Sequence, residues 1–315
     1  NLTLILGVIF MSKLIFLKPY FKEVLWANNN LQKLYNLDFL AGEAWLISAF
    51  EDQASLILNT EIKEKNLYHF FKNNKEFFGN YQGEYPNLTK FIDAKSDLSI
   101  QVHPDDKNAK QLHNSLGKDE CWYVLKTSDF PFVIGSKLTS KKKIKQKIEK
   151  KIFDFLNFVN LKTDEFTYIK SGMLHGIPKN SFVFELQQSS DITYRFYDYD
   201  RKNKNNQLRE LHLDLAFKSL KPKLKPKIVR QKNLLIKNKY FYLEKNEINS
   251  KINKRLKKDF FWAEVTVVKG EGKVDNFNVK FGDVFLIKNK TKSLTFEGKM
   301  TILINYVIKQ KEQNL

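Results

Sequence analysis

Three polar side chains able to bind a metal or a ligand share one face of a predicted strand. Residues 98–103 read Leu-Ser-Ile-Gln-Val-His and are followed by a proline, which cannot continue a ladder. Because side chains alternate across a strand, Ser99, Gln101 and His103 are expected opposite the aliphatic residues. A hydroxyl, an amide and an imidazole can each coordinate or hydrogen-bond a ligand. Taken alone, the pattern also fits an ordinary exposed face that carries one histidine.

A carboxylate and a second imidazole lie at the ends of later predicted strands. Glu120 opens the strand Glu-Cys-Trp-Tyr-Val-Leu, and His175 lies in a glycine-rich turn at residues 171–178. With Gln101 and His103 they provide two imidazole nitrogens, a carboxylate and an amide oxygen. That donor set suits zinc with one position open for water or substrate. The separations along the chain are long, so only a closed barrel would bring the four side chains together.

Most of the chain is predicted to form short strands. These are expected at residues 98–103, 121–125, 132–134, 165–169, 181–187, 191–197, 241–243, 260–269, 283–288 and 293–307. Many short strands with few helices are typical of a sandwich or a jelly roll.

Three segments are predicted to be helical, and one is predicted to be a linker. Residues 61–78 and 209–219 have helical patterns, and the lysine-rich residues 141–158 indicate one or two amphipathic surface helices. Residues 221–227 contain two prolines and four lysines and form the best linker candidate. The sequence therefore predicts two β domains joined near residue 224.

The composition permits a sizeable core and argues against a nucleic-acid partner. In 315 residues, hydrophobic residues make up 42% and aromatic residues 14%, which excludes a disordered polyelectrolyte. The net charge of +19 comes mainly from lysines spread along the whole chain. A nucleic-acid-binding surface would instead concentrate Arg and Lys on one face. We therefore expect a solvated basic surface and no nucleic-acid partner.

The single cysteine and the apolar first residues bear on the cellular compartment of the protein. Cys121 is the only cysteine, so no intrachain disulfide can form and a reducing cytoplasm is expected. Residues 2–11 are apolar but shorter than the roughly 20 residues that span a bilayer, so no membrane association is expected. Met11 is predicted to be the natural start. Residues 1–10 would then be a non-native or extension segment, with an added edge strand as the alternative.

Several ordered blocks carry a resemblance to a known family. Leu-Ser-Ile-Gln-Val-His-Pro-Asp-Asp (98–106), Gly-Lys-Asp-Glu-Cys-Trp-Tyr (117–123), the turn around His175 and Glu-Leu-Gln-Gln-Ser-Ser-Asp-Ile-Thr-Tyr-Arg (185–195) occur in this order. Together they resemble the signature blocks of class I mannose-6-phosphate isomerases in their short bacterial form, within the cupin superfamily. The blocks 197–201 and 209–212 continue the likeness. One departure is Trp26-Ala-Asn-Asn, where the family usually has Trp-Gly-Gly.

The resemblance implies a fold and a division into domains. The fold would be mainly β, with two cupin, or jelly-roll, β-barrel domains and a few helices packed around the N-terminal one. Residues 11–222 would form the catalytic zinc domain with helical insertions. Residues 223–315 would form a small non-catalytic C-terminal cupin domain.

The resemblance also implies roles for individual residues. It implies one zinc ion per chain, a hexose 6-phosphate substrate, and interconversion of mannose 6-phosphate and fructose 6-phosphate through a cis-enediolate. The zinc ligands would be Gln101, His103, Glu120 and His175; the catalytic residues Arg195, Glu185 and Lys118; and the phosphate-binding residues Ser99 and Lys90.

Several alternatives stay open at this point. The base could be Glu185, Lys118 or a zinc-bound water, and Glu185 and Arg195 could instead form an internal ion pair on adjacent strands. The protein could also be a non-catalytic cupin that binds a sugar phosphate. The sequence does not decide between a monomer and a homodimer.

Overall fold

The computed structural model describes residues 12–203 and 205–309, which form a mainly β structure with few helices. This confirms the predicted fold class. The segment 1–10 and the predicted start at Met11 lie outside the described residues.

Strands in the first two thirds of the chain supply most of the elements around the polar residues identified above. They are β1 (Leu14–Lys18), β2 (Tyr20–Lys22), β3 (Glu43–Ile47), β4 (Leu56–Ile57), β5 (Asn87–Asp93), β6 (Ile100–Val102), β7 (Glu120–Lys126), β8 (Phe132–Ser136), β9 (Leu156–Val159), β10 (Phe166–Ile169), β11 (His175–Gly176), β12 (Phe182–Gln188) and β13 (Tyr194–Tyr197).

The remaining strands follow residue 227 and include the two longest. They are β14 (Ile228–Val229), β15 (Leu234–Lys237), β16 (Tyr242–Ile248), β17 (Ile252–Arg255), β18 (Phe260–Val274), β19 (Phe277–Lys280), β20 (Val284–Ile287) and β21 (Ser293–Ile308).

These strands form three sheets. A seven-stranded sheet has the order β14-β10-β7-β12-β5-β3-β2, and a five-stranded sheet has the order β13-β6-β11-β8-β9. A nine-stranded sheet has the order β15-β16-β21-β18-β20-β1-β4, with β17 on β21 and β19 on β18. The early strand β1 thus pairs with β20 in a sheet built otherwise mainly from the last third of the chain. The division into domains at residues 222 and 223 stays a prediction.

The described part of the chain contains five α-helices, all before residue 220. They are α1 (Asn30–Tyr35), α2 (Leu67–Asn73), α3 (Asp106–His113), α4 (Lys141–Glu149) and α5 (Leu213–Ser219). None of these helices is long and apolar enough to cross a membrane.

All three predicted helices are shorter than their sequence patterns suggested, and the segment 209–219 is helical only from Leu213 to Ser219. The segment 61–78 is helical only from Leu67 to Asn73, because Asn66 caps its start by accepting a hydrogen bond from the His69 N–H. The segment 141–158 is helical only to Glu149, since Leu156–Val159 joins the edge of the five-stranded sheet. Pairing with β8 there overrides the helical pattern of the sequence.

Two apolar clusters support the strands of the five-stranded sheet. Ile100 and Val102 pack into one of them with Tyr194, and Phe132 and Ile134 of β8 belong to the other. The predicted alternation is therefore confirmed for β6, Ile100–Val102, whereas Leu98 precedes this strand and packs into the other cluster. This burial holds the opposite, polar face of β6 in place.

Candidate functional site

A cavity between the seven-stranded and five-stranded sheets brings together the residues singled out from the sequence. Eight of the nine line it: Lys90, Ser99, Gln101, Lys118, Glu120, His175, Glu185 and Arg195. The ninth, His103, contacts both Glu120 and His175. Strand register explains part of this arrangement, because Gln101 of β6 is paired on one side with His175 of β11 and on the other with Arg195 of β13.

Three buried side chains form a compact group that could hold a metal ion. The ligand atoms of His103, Glu120 and His175 all lie within 4.8 Å of one another. The Nε2 atom of His103 is 3.2 Å from Glu120 Oε2, and the Nε2 atom of His175 is 3.3 Å from Glu120 Oε1. Such separations suit donor atoms that share one ion with bonds of about 2.0–2.2 Å.

Backbone carbonyls fix both imidazole rings. His103 Nδ1 lies 2.9 Å from the carbonyl oxygen of Ile192, and His175 Nδ1 lies 2.8 Å from that of Met173. A carbonyl oxygen can only accept, so Nδ1 carries the proton in each ring and Nε2 presents a lone pair. Outer-shell bonds of this kind are the ones that orient histidine ligands of metals.

The close approach of these three side chains is electrostatically unfavourable unless a cation lies between them. The two Nε2 atoms lie 3.1 Å apart, and both rings are neutral because burial lowers their pKa values, that of His103 to about 3. Two lone pairs therefore face each other. Both carboxylate oxygens of Glu120 are buried and make no hydrogen bond to any described residue. A divalent cation would satisfy all three side chains at once.

Gln101 stands beside this group with its amide able to turn. The nitrogen of its amide lies 3.3 Å from His175 Nε2, while its oxygen accepts a hydrogen bond of 2.7 Å from the Ser99 hydroxyl. If Gln101 binds the ion, its amide oxygen must face that ion. Rotating the amide by about half a turn brings the oxygen there. Ser99 permits this because a hydroxyl can accept as well as donate.

Lys118 carries a positive charge next to the group. Its Nζ lies 3.5 Å from Glu120 Oε2, and both side chains are buried. Burial alone would raise the pKa of the Glu120 carboxyl, but His103 and Lys118 outweigh burial and hold that pKa below its usual range. Glu120 is therefore ionised, as a metal ligand must be.

Glu185 has the opposite electrostatic environment. Burial, followed by repulsion from Glu120, raises the pKa of Glu185 to about 7. Its Oε2 accepts a 2.9 Å hydrogen bond from the indole N–H of Trp122, and its Oε1 lies 3.8 Å from Lys90 Nζ. A carboxyl that titrates near neutral pH can act as either a proton acceptor or a proton donor.

Lys90 is held by carboxylates on the wall formed by the seven-stranded sheet. Its Nζ lies 3.4 Å from Glu43 Oε2 and 4.9 Å from the centre of the Trp45 ring. Burial alone would lower the pKa of Lys90, but Glu43 and Glu185 outweigh it and raise the pKa instead. Lys90 is thus a permanent cation inside an ion-pair network.

Arg195 lies on the other wall and does not pair with Glu185. The two residues belong to different sheets, and the ion pair considered as an alternative is absent among the described residues. The buried Nε of Arg195 meets no hydrogen-bond partner in the described part of the chain. A buried donor left unpaired is costly, and substrate oxygens could pair with it.

Sequence reasoning missed several residues that line the cavity. They are Lys22, Glu43, Asp191, Thr193 and Arg209. Three of these had a sequence signal, since Asp191 and Thr193 lie within the block 185–195 and Arg209 opens the Arg-Glu-Leu-His block at 209–212. The others are common surface types that reach the cavity through long-range pairing, such as the 3.0 Å ion pair between Lys22 and Asp191.

Comparisons with known proteins identify relatives of this chain. A family profile described as phosphomannose isomerase type I, catalytic domain, matches residues 16–126. GmuF of Bacillus subtilis, named a probable mannose-6-phosphate isomerase, is 32% identical, and the match covers 94% of this chain and all of that protein. The mannose-6-phosphate isomerase of Streptococcus mutans is 31% identical over 94% of this chain and 99% of its own.

A solved structure shows the same fold. The crystal structure of the mannose 6-phosphate isomerase from Bacillus subtilis superposes with a TM-score of 0.86 at 31% identity. That match covers 93% of this chain and 99% of the other. All three sheets are therefore compared across nearly the full length of both proteins.

Proposed function

The chain belongs to the type I phosphomannose isomerases, and we propose that it interconverts mannose 6-phosphate and fructose 6-phosphate with one zinc ion per chain. The observation that carries the proposal is the buried group His103, Glu120 and His175, which adjoins Glu185 and Arg195 in one cavity. Two imidazoles, a carboxylate and the amide of Gln101 are a donor set that suits zinc. When bound, zinc supplies a Lewis acid that polarises substrate oxygens and stabilises negative charge.

Glu185 is the base that the geometry favours. Moving a hydrogen between the first and second carbons of the sugar requires a group that removes a proton from one carbon and returns it to the other. Glu185 has a pKa of about 7 and faces the same cavity as the metal group, so it can do both through a cis-enediolate. Lys118 is the runner-up, but its Nζ already faces the Glu120 carboxylate.

Arg195 holds the negative charge that develops during proton transfer. Its guanidinium stays protonated, and its unpartnered Nε can donate to a substrate oxygen. Register places it beside Gln101, so it approaches the substrate from the five-stranded sheet while Glu185 approaches from the seven-stranded sheet. The substrate would thus lie between a fixed cation and a proton carrier.

Turnover of mannose 6-phosphate tests the proposal. We expect the purified protein to convert it to fructose 6-phosphate. The product is measured with coupling enzymes that end in a dehydrogenase, whose reduced nicotinamide cofactor is followed by absorbance. A non-catalytic cupin that only binds a sugar phosphate would show saturable binding of mannose 6-phosphate without any product. That outcome would reject the proposed reaction while leaving the fold assignment intact.

The pH profile should reveal Glu185. Because its pKa is raised, the carboxyl is protonated below about pH 7 and cannot accept a proton, so kcat/KM should fall as pH decreases through that value. A bound cation offsets the charge of Glu120 and would move this acidic limb of the kcat/KM profile to lower pH. Initial rates from pH 5 to 9 measure it. A rate that stays constant over this range would show that the pKa of Glu185 is not raised in the metal-bound protein.

The position of the acidic limb of the kcat/KM profile should also depend on Trp122. Its indole N–H favours the ionised form of Glu185, so Trp122→Phe removes the hydrogen bond and should raise the pKa of the base. The acidic limb of kcat/KM is then expected to shift to higher pH while zinc content is unchanged. Trp45→Phe is the matched control, because its indole donates to Glu43 instead. An acidic limb that does not move would show that this hydrogen bond has no effect on the base.

We also propose the reducing cytoplasm as the compartment and retain the two-domain division near residue 222. The buried free thiol of Cys121 supports a reducing compartment. Expression of residues 11–222 alone would test the division, and a fragment that fails to fold would argue against it. Pairing of β1 with β20 is the contact such a fragment would lose.

A further inference from the structure

Backbone hydrogen bonds join the segments that carry the three residues of the metal group. The carbonyl of His103 accepts a 2.9 Å bond from the Gly172 N–H, and the carbonyl of Pro104 accepts a 3.0 Å bond from the Lys118 N–H. The chain just after β6 is therefore tied both to the turn before β11 and to the approach to β7.

A buried carboxylate connects that turn with the start of β7. Pairing of β7 with β10 ends at Glu120 and Ile169, and the chain then enters the turn. Asp119, which is 2% exposed, extends the contact beyond this point, because its Oδ1 accepts a 3.0 Å hydrogen bond from the Ser171 N–H. Its Oδ2 accepts a hydrogen bond from the Tyr168 hydroxyl. Hydrogen bonds to an ionised acceptor are among the stronger ones in proteins.

The main chain of Asp119 is fixed from a different direction. Its N–H donates to the side-chain oxygen of Gln188, and its carbonyl accepts from the Gln188 N–H, both at 3.0 Å. The amide nitrogen of Gln188 in turn donates to the carboxylate of Asp106 at 2.9 Å. Because β12 holds the backbone of Asp119 independently of the turn, the carboxylate can fix the turn instead of following its movement.

The turn determines how the His175 ring is oriented. The carbonyl of Met173 accepts the hydrogen bond from His175 Nδ1, and Met173 lies two residues after Ser171. Gly172 between them has a φ of +85°, and a Cβ there would lie 2.6 Å from the carbonyl oxygen of Ser219. The turn therefore has little room to relax, so a shift at Ser171 would be passed on to the His175 ring.

We propose that Asp119 is a positioning residue, whose carboxylate sets the orientation of His175 relative to Glu120 and so holds the metal group in one coordination geometry. The proposal rests on the function proposed above, because it concerns the metal that this function requires. Asp119 itself neither lines the cavity nor belongs to the metal group. It acts through the Ser171 N–H, in the way that outer-shell contacts orient metal ligands in general.

The test is Asp119→Ala, which removes the acceptor for the Ser171 N–H. We expect the affinity for zinc, measured by competition with a chromogenic chelator, to fall about 10- to 100-fold. The visible absorption spectrum of the cobalt-substituted protein should also change, because it reports the geometry of the ligands. Asp119→Glu keeps the charge but moves the oxygens by one methylene group. It should alter the cobalt spectrum as well, and it serves if the alanine variant does not fold.

Asp93→Ala is the matched control. Asp93 is another buried carboxylate of the seven-stranded sheet, and it accepts hydrogen bonds from the backbone N–H groups of Asn30 and Leu31. Its loss should lower the unfolding temperature and leave the zinc affinity and the cobalt spectrum unchanged. An unchanged zinc affinity and cobalt spectrum in the folded Asp119 variants would overturn the proposal, as would equal changes in Asp93→Ala. Zinc binding without turnover by the unmodified protein would reject the proposed function alone.

Discussion

Removal of the metal with a chelator is expected to abolish turnover of mannose 6-phosphate, and addition of zinc is expected to restore it. The reason lies in the Nε2 atoms of His103 and His175, whose lone pairs face each other 3.1 Å apart beside a carboxylate without hydrogen bonds. The measurement is initial rate against metal content, determined on the same samples by mass spectrometry.

His103→Ala provides the matched variant for metal loss. It removes one ligand, so zinc affinity should fall by more than the roughly 10- to 100-fold that loss of an outer-shell partner costs. His113→Ala is the control, since His113 hydrogen-bonds the Tyr194 hydroxyl and is not part of the metal group. Full activity of the protein after exhaustive chelation would refute a role for the metal in turnover.

Arg195→Ala should lower kcat by about 10²- to 10³-fold while zinc stays bound, as expected when one donor to a developing negative charge is removed. Arg195 is not among the residues that could hold the metal, and it lines the cavity with its buried Nε free of any hydrogen bond to a described residue. Substrate affinity should change less than kcat, because the charge it stabilises develops only during proton transfer.

Zinc content and thermal stability separate this role from a structural one. Arg230→Ala is a suitable control, because Arg230 pairs with Glu165 away from the cavity and carries the same charge. If Arg195→Ala loses zinc or unfolds at a much lower temperature than this control, Arg195 supports the structure and does not act on the substrate. A kcat unchanged from the unmodified protein would contradict the assignment directly.

Residue alternation and the ordered sequence blocks singled out side chains that the structure brings together at the centre of the candidate site. Gln101 faces the cavity because its neighbours Ile100 and Val102 are buried in an apolar cluster on the opposite side of β6. Glu120 and His175 could be proposed as partners from their residue types. Their actual convergence depends on sheet pairing that no local pattern encodes.

The outer part of the site could not be predicted for the same reason. Glu43 and Lys90 meet because β3 pairs with β5, and Lys22 meets Asp191 across 169 residues of sequence. The elevated pKa of Glu185 likewise depends on burial and on its distance from Glu120, which only the folded chain determines. Helix ends were misjudged where tertiary pairing prevailed, as at Leu156–Val159.

Anomalous diffraction at the zinc absorption edge would test the central claim most directly. We expect a single strong peak per chain, at about 2.0–2.2 Å from His103 Nε2, from His175 Nε2 and from a carboxylate oxygen of Glu120. The Gln101 amide should have turned its oxygen toward that peak. Crystals of active enzyme with no peak among these three side chains, or with the zinc bound elsewhere, would contradict the account.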